Sequence, residues 1–166
     1  MQIFIKDNVS EESYKSIANF SELEKVTDKP TTNHYFVYDT NGLSFVKDSI
    51  NPKEVLHVDF LKGALGWRLK RVNHERNLRK ALGKTDKQLS IFDSTAGLLT
   101  DSMIFLSLGH KVVAVEQSKI IYSLVKDFFD LEYKKIILKR PLKYRKNYSN
   151  INYQVLGKTT RFDIYL

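Results

Sequence analysis

The chain has 166 residues, 42% apolar and 12% aromatic, enough to bury a real core in one domain, or a domain with a small appendage, and too apolar for a disordered chain. It has no cysteine, which excludes disulfides and thiolate metal sites; no apolar run approaches a membrane span, and "MQIFIKDNVSEES" carries acids too early for a signal peptide, so a cytoplasmic protein with no membrane partner is expected. The net charge of +8 is uneven: residues 1–50 hold five Lys against eight Asp/Glu (−3), and residues 51–166 hold 22 Lys/Arg against 11 acids (+11), which suggests two units. The basic part either attracts a polyanion through counterion release or serves solubility alone.

In chain order, "MQIFIKD" alternates as a short strand. "SEESYKSIANFSELEKV" has apolar residues at helical spacing behind Ser10 as N-cap. "YFVYDTNGLSFVKD" reads as a hairpin about Thr40-Asn41-Gly42, because Asn-Gly favours the positive φ of tight turns. Residues 1–50 are therefore expected to form a small α+β unit, and "INPKEVLHVDF" leads out of it. Asn51-Pro52 continues as Lys53-Glu54, without an aromatic, and is read as a turn.

Residues 60–84, "FLKGALGWRLKRVNHERNLRKALGK", are rich in Lys and Arg, and their second half is a helix ending at Gly83. Then come "QLSIFDS" as a buried strand, "SMIFLSLG" as a helix, "HKVVAVEQ" as a strand and "SKIIYSLVKDFF" as a helix capped by Ser118. Alternating strands and helices imply a parallel sheet. "YKKIILKRP" is a further strand, and "YQVLGKTTRFDIYL" a hairpin-like pair about Gly157. The expected fold class is α/β: a truncated doubly wound, Rossmann-like sheet over residues 51–166, with strands near 89–94, 111–116, 134–139 and 161–165.

In such a sheet the ligand lies beyond the carboxyl ends of the strands, near the first crossover. Asp93, Ser94, Thr95, Ala96 and Gly97 fall there, in "FDSTAGLLTDS" (residues 92–102). Small residues let backbone come close to a ligand, and the following helix offers unpaired N–H groups. The next strand delivers Glu116, 23 residues after Asp93, and a carboxylate there suits a ribose diol. The pattern points to an adenosyl or nucleotide ligand; a generic crossover with a surface Glu would look similar.

Five segments, "VDFLKGALGWRLK", "DSTAGLLTD", "VVAVEQS", "IILKRP" and "GKTTRFDIY", occur in this order. Together they resemble the RsmJ type of small-subunit ribosomal RNA methyltransferase, from about residue 35 to the C-terminus. The resemblance implies a class I methyltransferase fold, S-adenosylmethionine as cofactor, ribosomal RNA or the small ribosomal subunit as partner, and methyl transfer to the N2 amine of a guanine. The family's loop pattern is Asp-Ala-Thr-Ala-Gly-Leu-Gly-Arg-Asp. Asp93, Thr95, Ala96, Gly97, Leu98 and Asp101 match it, and Ser94, Leu99 and Thr100 depart from it. Carried over, the cofactor site comprises Asp93, Thr95, Ala96, Gly97, Thr100, Asp101, Glu116 and Gln117, with Glu116 on the ribose and Gln117 where the family usually has Arg. If position 99 needs φ > 0, Leu99 costs on the order of 1 kcal/mol of strain.

The family's Asp-Pro-Met-Phe motif, which holds the base to be methylated, has no counterpart here: Pro30, Pro52 and Pro141 follow Lys29, Asn51 and Arg140. Between "SKIIYSLVKDFF" and "YKKIILKRP" stand only Asp130, Leu131 and Glu132, where the family has two further strand–helix units of about 30 residues each. No catalytic residue is therefore assigned. The alternative is a non-catalytic RNA-binding remnant of the family. Seven Lys/Arg and no acid lie between 134 and 147, interleaved with Tyr144 and flanked by Tyr133, Tyr148 and Tyr153. Cations for phosphates and rings for stacking suit RNA, so Arg68, Lys70, Arg71, Lys143, Tyr144, Arg145, Lys146 and Tyr148 are the candidate RNA-binding residues. The four His residues share no metal-like spacing, and no metal is expected.

Overall fold

The structure is a computed structural model that describes residues 1–17, 20–31, 34–51, 53–83, 87–130 and the strand at 162–165. The expected strand at 134–139, and the start of the pair about Gly157, lie outside the described residues. By packing, the chain divides into two compact units. One runs to Val58 and takes in the helix that begins at Lys119; the other runs from Asp59 to Ser118 and takes in the strand at 162–165.

The first unit is built on a five-stranded sheet in the order β2-β1-β3-β4-β5, formed by β1 (Gln2–Ile5), β2 (Glu24–Val26), β3 (Tyr35–Asp39), β4 (Gly42–Val46) and β5 (Val55–His57). β1 runs parallel to both β2 and β3, and β4 is antiparallel to β3 and to β5. The hairpin forms as expected, with Asp39 opposite Gly42. The positive φ falls on Gly42 (101°) alone, while the Asp39 carboxylate accepts the Asn41 N–H at 2.8 Å and closes the turn from the other side. Glu54 N–H donates to Asn51 O at 3.2 Å, which makes this stretch a turn.

The helix expected over residues 10–26 is much shorter. Helix α1 is only Glu11–Lys15; a 3-10 turn follows at Phe20–Glu22, and Glu24–Val26 is strand β2. Ser10 does sit at the N-cap position, but its hydroxyl meets the Ser13 hydroxyl at 2.7 Å and no backbone N–H. The period gives way because β1 would otherwise present an open edge: Glu24–Val26 pairs along it, and Glu24 N–H donates to Met1 O at 2.9 Å. Helix α5 (Lys119–Phe128) covers β4 with a buried stripe of Tyr122, Leu124, Val125 and Phe128. Asp127 lies in that stripe, 5% exposed, and accepts the Leu43 N–H at 2.7 Å. Burial, with Asp130 nearby, pushes its pKa up to about 6, against the opposing pull of the Leu43 hydrogen bond, His57 and Lys126.

The second unit begins with α2 (Gly63–Lys70), a 3-10 turn (Val72–His74) and α3 (Arg76–Ala81). Its sheet has the order β6-β7-β8: β6 (Ser90–Asp93) is parallel to β7 (Lys111–Glu116), and β8 (Phe162–Tyr165) is antiparallel to β7. Helix α4 (Thr100–Ser107) connects β6 to β7 and packs on β7, and α2 packs on α4. The β6–α4–β7 crossover is the expected Rossmann-like element, built around Leu99, Met103, Ile104, Leu106, Val112, Ala114 and Val115. Within α2, Gly66 is required by contact: a Cβ there would stand 2.2 Å from the Leu61 carbonyl oxygen.

Candidate active site

The loop between β6 and α4 is held at both ends by carboxylates. Asp93, the last residue of β6, accepts the Thr95 N–H at 3.3 Å on one oxygen and the buried Ser102 hydroxyl at 2.6 Å on the other. That pair ties the strand end to the first turn of α4. Glu116, the last residue of β7, accepts the Gly97 N–H at 2.8 Å and the Ser118 N–H at 2.6 Å. Ala96 N–H donates to Val115 O at 3.0 Å. The loop is thus stitched to the carboxyl end of the neighbouring strand, where a doubly wound sheet places its ligand.

Two loop residues have φ > 0: Gly97 at 52° and Leu99 at 55°. Leu99 is the left-handed N-cap of α4 and is fully buried, so its side chain anchors the turn into the core while its backbone bears strain. The bare face of Gly97 is open: a Cβ there would meet nothing nearer than the Thr95 carbonyl oxygen at 4.0 Å. No side chain caps the start of α4.

Asp93, Thr95, Ala96, Thr100 and Asp101 line one cavity of about 280 Å³ together with Ile91, Phe92 and Phe105. Five of the expected cofactor residues therefore converge. Gly97 and Glu116 join them through the Gly97–Glu116 hydrogen bond at the loop's far side, and Gln117 is exposed just beyond β7. Asp101 lies 3.4 Å from Nη2 of Arg68, whose guanidinium also grips Glu75 through two bonds of 2.9 Å. The Arg68 fork holds the Glu75 carboxyl below the usual carboxylate range, and Glu75 in turn raises the Arg68 pKa. Of the other basic candidates, Lys70 and Arg71 are exposed, and the Arg71 guanidinium lies 4.8 Å from the ring centre of Trp67, itself 58% exposed. Lys143, Tyr144, Arg145, Lys146 and Tyr148 lie outside the described residues.

Sequence reasoning missed Ser102 and Arg68 as partners of the two aspartates. A small polar residue in the first turn of an otherwise apolar helix was the available signal for Ser102. Nothing local signalled Arg68.

A strand-end carboxylate with both oxygens on backbone amides, an open glycine face and a small-residue turn thus meet at the carboxyl end of the sheet. The model of a family of SAM-dependent methyltransferases matches residues 19–134. The chain belongs to that family. Its relatives include proteins named ribosomal RNA small subunit methyltransferase J. One from Thioalkalivibrio sulfidiphilus is 33% identical over 55% of this chain and 36% of its own length. Another from Shewanella piezotolerans is 29% identical over 75% and 49%, and one from Desulfotalea psychrophila 30% identical over 74% and 49%. The chain thus spans a third to a half of these relatives, and its kinship is of the RsmJ type. A crystal structure of a SAM-dependent methyltransferase from Neisseria gonorrhoeae shares the fold, with a TM-score of 0.58 at 24% identity over 93% of this chain and 59% of that one.

The cofactor of the family is S-adenosylmethionine, and the residues here fit it. Above Gly97, a group can approach the backbone as closely as a Cβ without meeting another described atom nearer than 4.0 Å. Each Glu116 oxygen, with one N–H bond made, keeps a lone pair for a hydroxyl. Among the described residues, no helix is long and apolar enough to cross a membrane.

Proposed function

We propose that this chain binds S-adenosylmethionine on the β6–α4 loop and belongs to the machinery that methylates guanine N2 in small-subunit ribosomal RNA. The observation that carries the reading is the Glu116 carboxylate, fixed by the Gly97 and Ser118 amides beside an open glycine face. In this reading Glu116 accepts the ribose hydroxyls. Asp93 and Asp101 are acceptors for the ammonium of the methionine moiety, with Thr95, Ala96 and Thr100 forming the wall between them. Gln117 offers an amide beyond the strand end. When bound, the cofactor supplies an electrophilic methyl group.

The chain's own residues bind and orient; none is assigned to hold the guanine amine, because the sequence has no Asp-Pro-Met-Phe motif. The 166-residue chain by itself is accordingly expected to bind the cofactor and to turn over poorly. RNA is the expected partner of Lys70, Arg71 and the basic segment around Lys143, Tyr144, Arg145, Lys146 and Tyr148, with Arg68 contributing what its ion pairs leave.

Calorimetry with S-adenosylmethionine tests the reading. Saturable binding supports it, and absence of binding up to millimolar concentration ends it. A second reading, a non-catalytic RNA-binding remnant, is supported by the three residues, Asp130, Leu131 and Glu132, that alone separate "SKIIYSLVKDFF" from "YKKIILKRP". Transfer of radiolabelled methyl to small-subunit ribosomal RNA separates the two: robust turnover lost in Asp101→Ala removes the remnant, and cofactor or RNA binding without turnover supports it.

A further inference from the structure

The second unit has another concavity, at the end of the sheet away from the cofactor loop. Lys87 and Gln88 lead into β6, and Leu108, Gly109 and His110 lead into β7, so both groups stand at the amino ends of these parallel strands. Facing them are the 3-10 turn and α3, which supply Asn73, Arg76, Arg79 and Lys80. The residues enclose a cleft of about 890 Å³. From Gln88 to Asp93 the chain runs about 15 Å, so a group held here is not the group at the cofactor loop.

The chemistry of the lining is one-sided. Four cationic side chains reach it, and among the described residues no acidic side chain lines it. Arg76, Arg79, Lys80 and Lys87 are all exposed, a cost in self-repulsion that solubility alone would relieve by scattering them. The walls are held in place by hydrogen bonds to backbone carbonyls: Gln88 Nε2 donates to Gly109 O at 2.8 Å, and Arg79 Nη1 donates to Asn73 O at 3.2 Å. His110 Nδ1 accepts the Leu89 N–H at 3.3 Å, which leaves the ring proton on Nε2 as a donor. Among the described residues, no Phe, Tyr or Trp lines the cleft. Cations and neutral donors recognise phosphates and sugar hydroxyls, and such contacts carry no sequence information.

We propose that this cleft holds the sugar–phosphate backbone of the RNA at a distance from the nucleotide presented to the cofactor loop, as a sequence-independent anchor. The inference rests on RNA being the substrate, and it adds a second contact region that the cofactor site does not require.

The test uses the 166-residue chain, a small-subunit ribosomal RNA fragment and a random RNA of equal length, titrated by fluorescence anisotropy at several salt concentrations. The triple variant Arg76→Ala, Arg79→Ala, Lys80→Ala places the best helix former at exposed helical positions, and circular dichroism checks its fold. Each lost phosphate contact lowers the slope of log affinity against log salt by 0.7 to 0.9, so the variant is expected to lose about two units of slope, and tenfold or more in affinity at low salt, on both RNAs. Lys87→Ala, on the opposite wall, should lose about one unit, and Arg76→Lys with Arg79→Lys should keep the slope.

Unchanged affinity and slope in both Ala variants would overturn the proposal, as would competition by polyglutamate as strong as that by RNA, which would mark an acidic protein as the occupant. Calorimetry with S-adenosylmethionine on the same samples keeps the two readings apart. Cofactor binding with no RNA binding by the unmodified chain overturns the cleft alone; loss of both overturns the functional reading as well.

Discussion

Leu99 is where two local effects oppose each other, and their magnitudes predict the outcome of replacing it. Its backbone is left-handed (φ 55°, ψ 25°), a conformation that costs a non-glycine residue about 1–2 kcal/mol. Its side chain is 0% exposed, and truncating a buried Leu costs about 2–5 kcal/mol. Leu99→Gly relieves the strain, but glycine's greater freedom in the unfolded chain returns about 0.4–1 kcal/mol of that relief. The net expectation is a loss of about 2–3 kcal/mol. Leu99→Ala keeps the strain and loses nearly the same packing, so the two variants should lie within about 1 kcal/mol of each other, both well below the unmodified chain. Urea unfolding with the slope held common measures this; for a chain of this size the thermal midpoint should fall by on the order of 10 °C. A Leu99→Gly variant as stable as the original, or more so, would show that strain outweighs packing and that the Leu side chain does not hold the loop.

Three further outcomes are expected. Asp127 holds its proton more tightly when folded (pKa about 6) than its ordinary value of 3.8, so its contribution is full below pH 4 and is lost as pH rises through 6. Stability should fall by on the order of 3 kcal/mol across that window and flatten in Asp127→Asn, read by urea midpoints and by exchange of the Leu43 amide; a rise with pH would contradict the assignment. Gly66→Ala should destabilise despite about 1 kcal/mol of gained helix propensity, because the new Cβ would stand 2.2 Å from a backbone oxygen; a higher thermal midpoint would refute the close approach. Glu116→Ala frees two backbone N–H groups and removes a ribose acceptor, and should weaken S-adenosylmethionine at least tenfold by calorimetry, while Glu116→Gln, which keeps one acceptor oxygen, should lose less.

The parts of this protein legible in the sequence are those decided within a few residues. The β3–β4 hairpin follows from two alternating runs about Asn41-Gly42, and β6, α4 and β7 follow from an apolar run, a small-residue turn and a second apolar run, although β6 is not the buried strand expected: no residue of it is buried and Phe92 is 67% exposed. That spacing also put Glu116 at a strand end and Asp93 at its neighbour's, which is why the two carboxylates that hold the loop could be located in advance. Tertiary structure decided the rest. "ELEKV" had helical spacing, yet Glu24–Val26 became a strand, because pairing with β1 satisfies a row of backbone groups that no local pattern reports. The apolar stripe of α5 announced that the helix must be covered, but a stripe does not name its partner: α5 packs on β4, and Asp127 found the Leu43 amide 84 positions away. Leu99 shows the division most clearly. The sequence alone sets the penalty for a left-handed Leu, whereas its full burial, which outweighs that penalty, exists only once β6, α4 and β7 close around it.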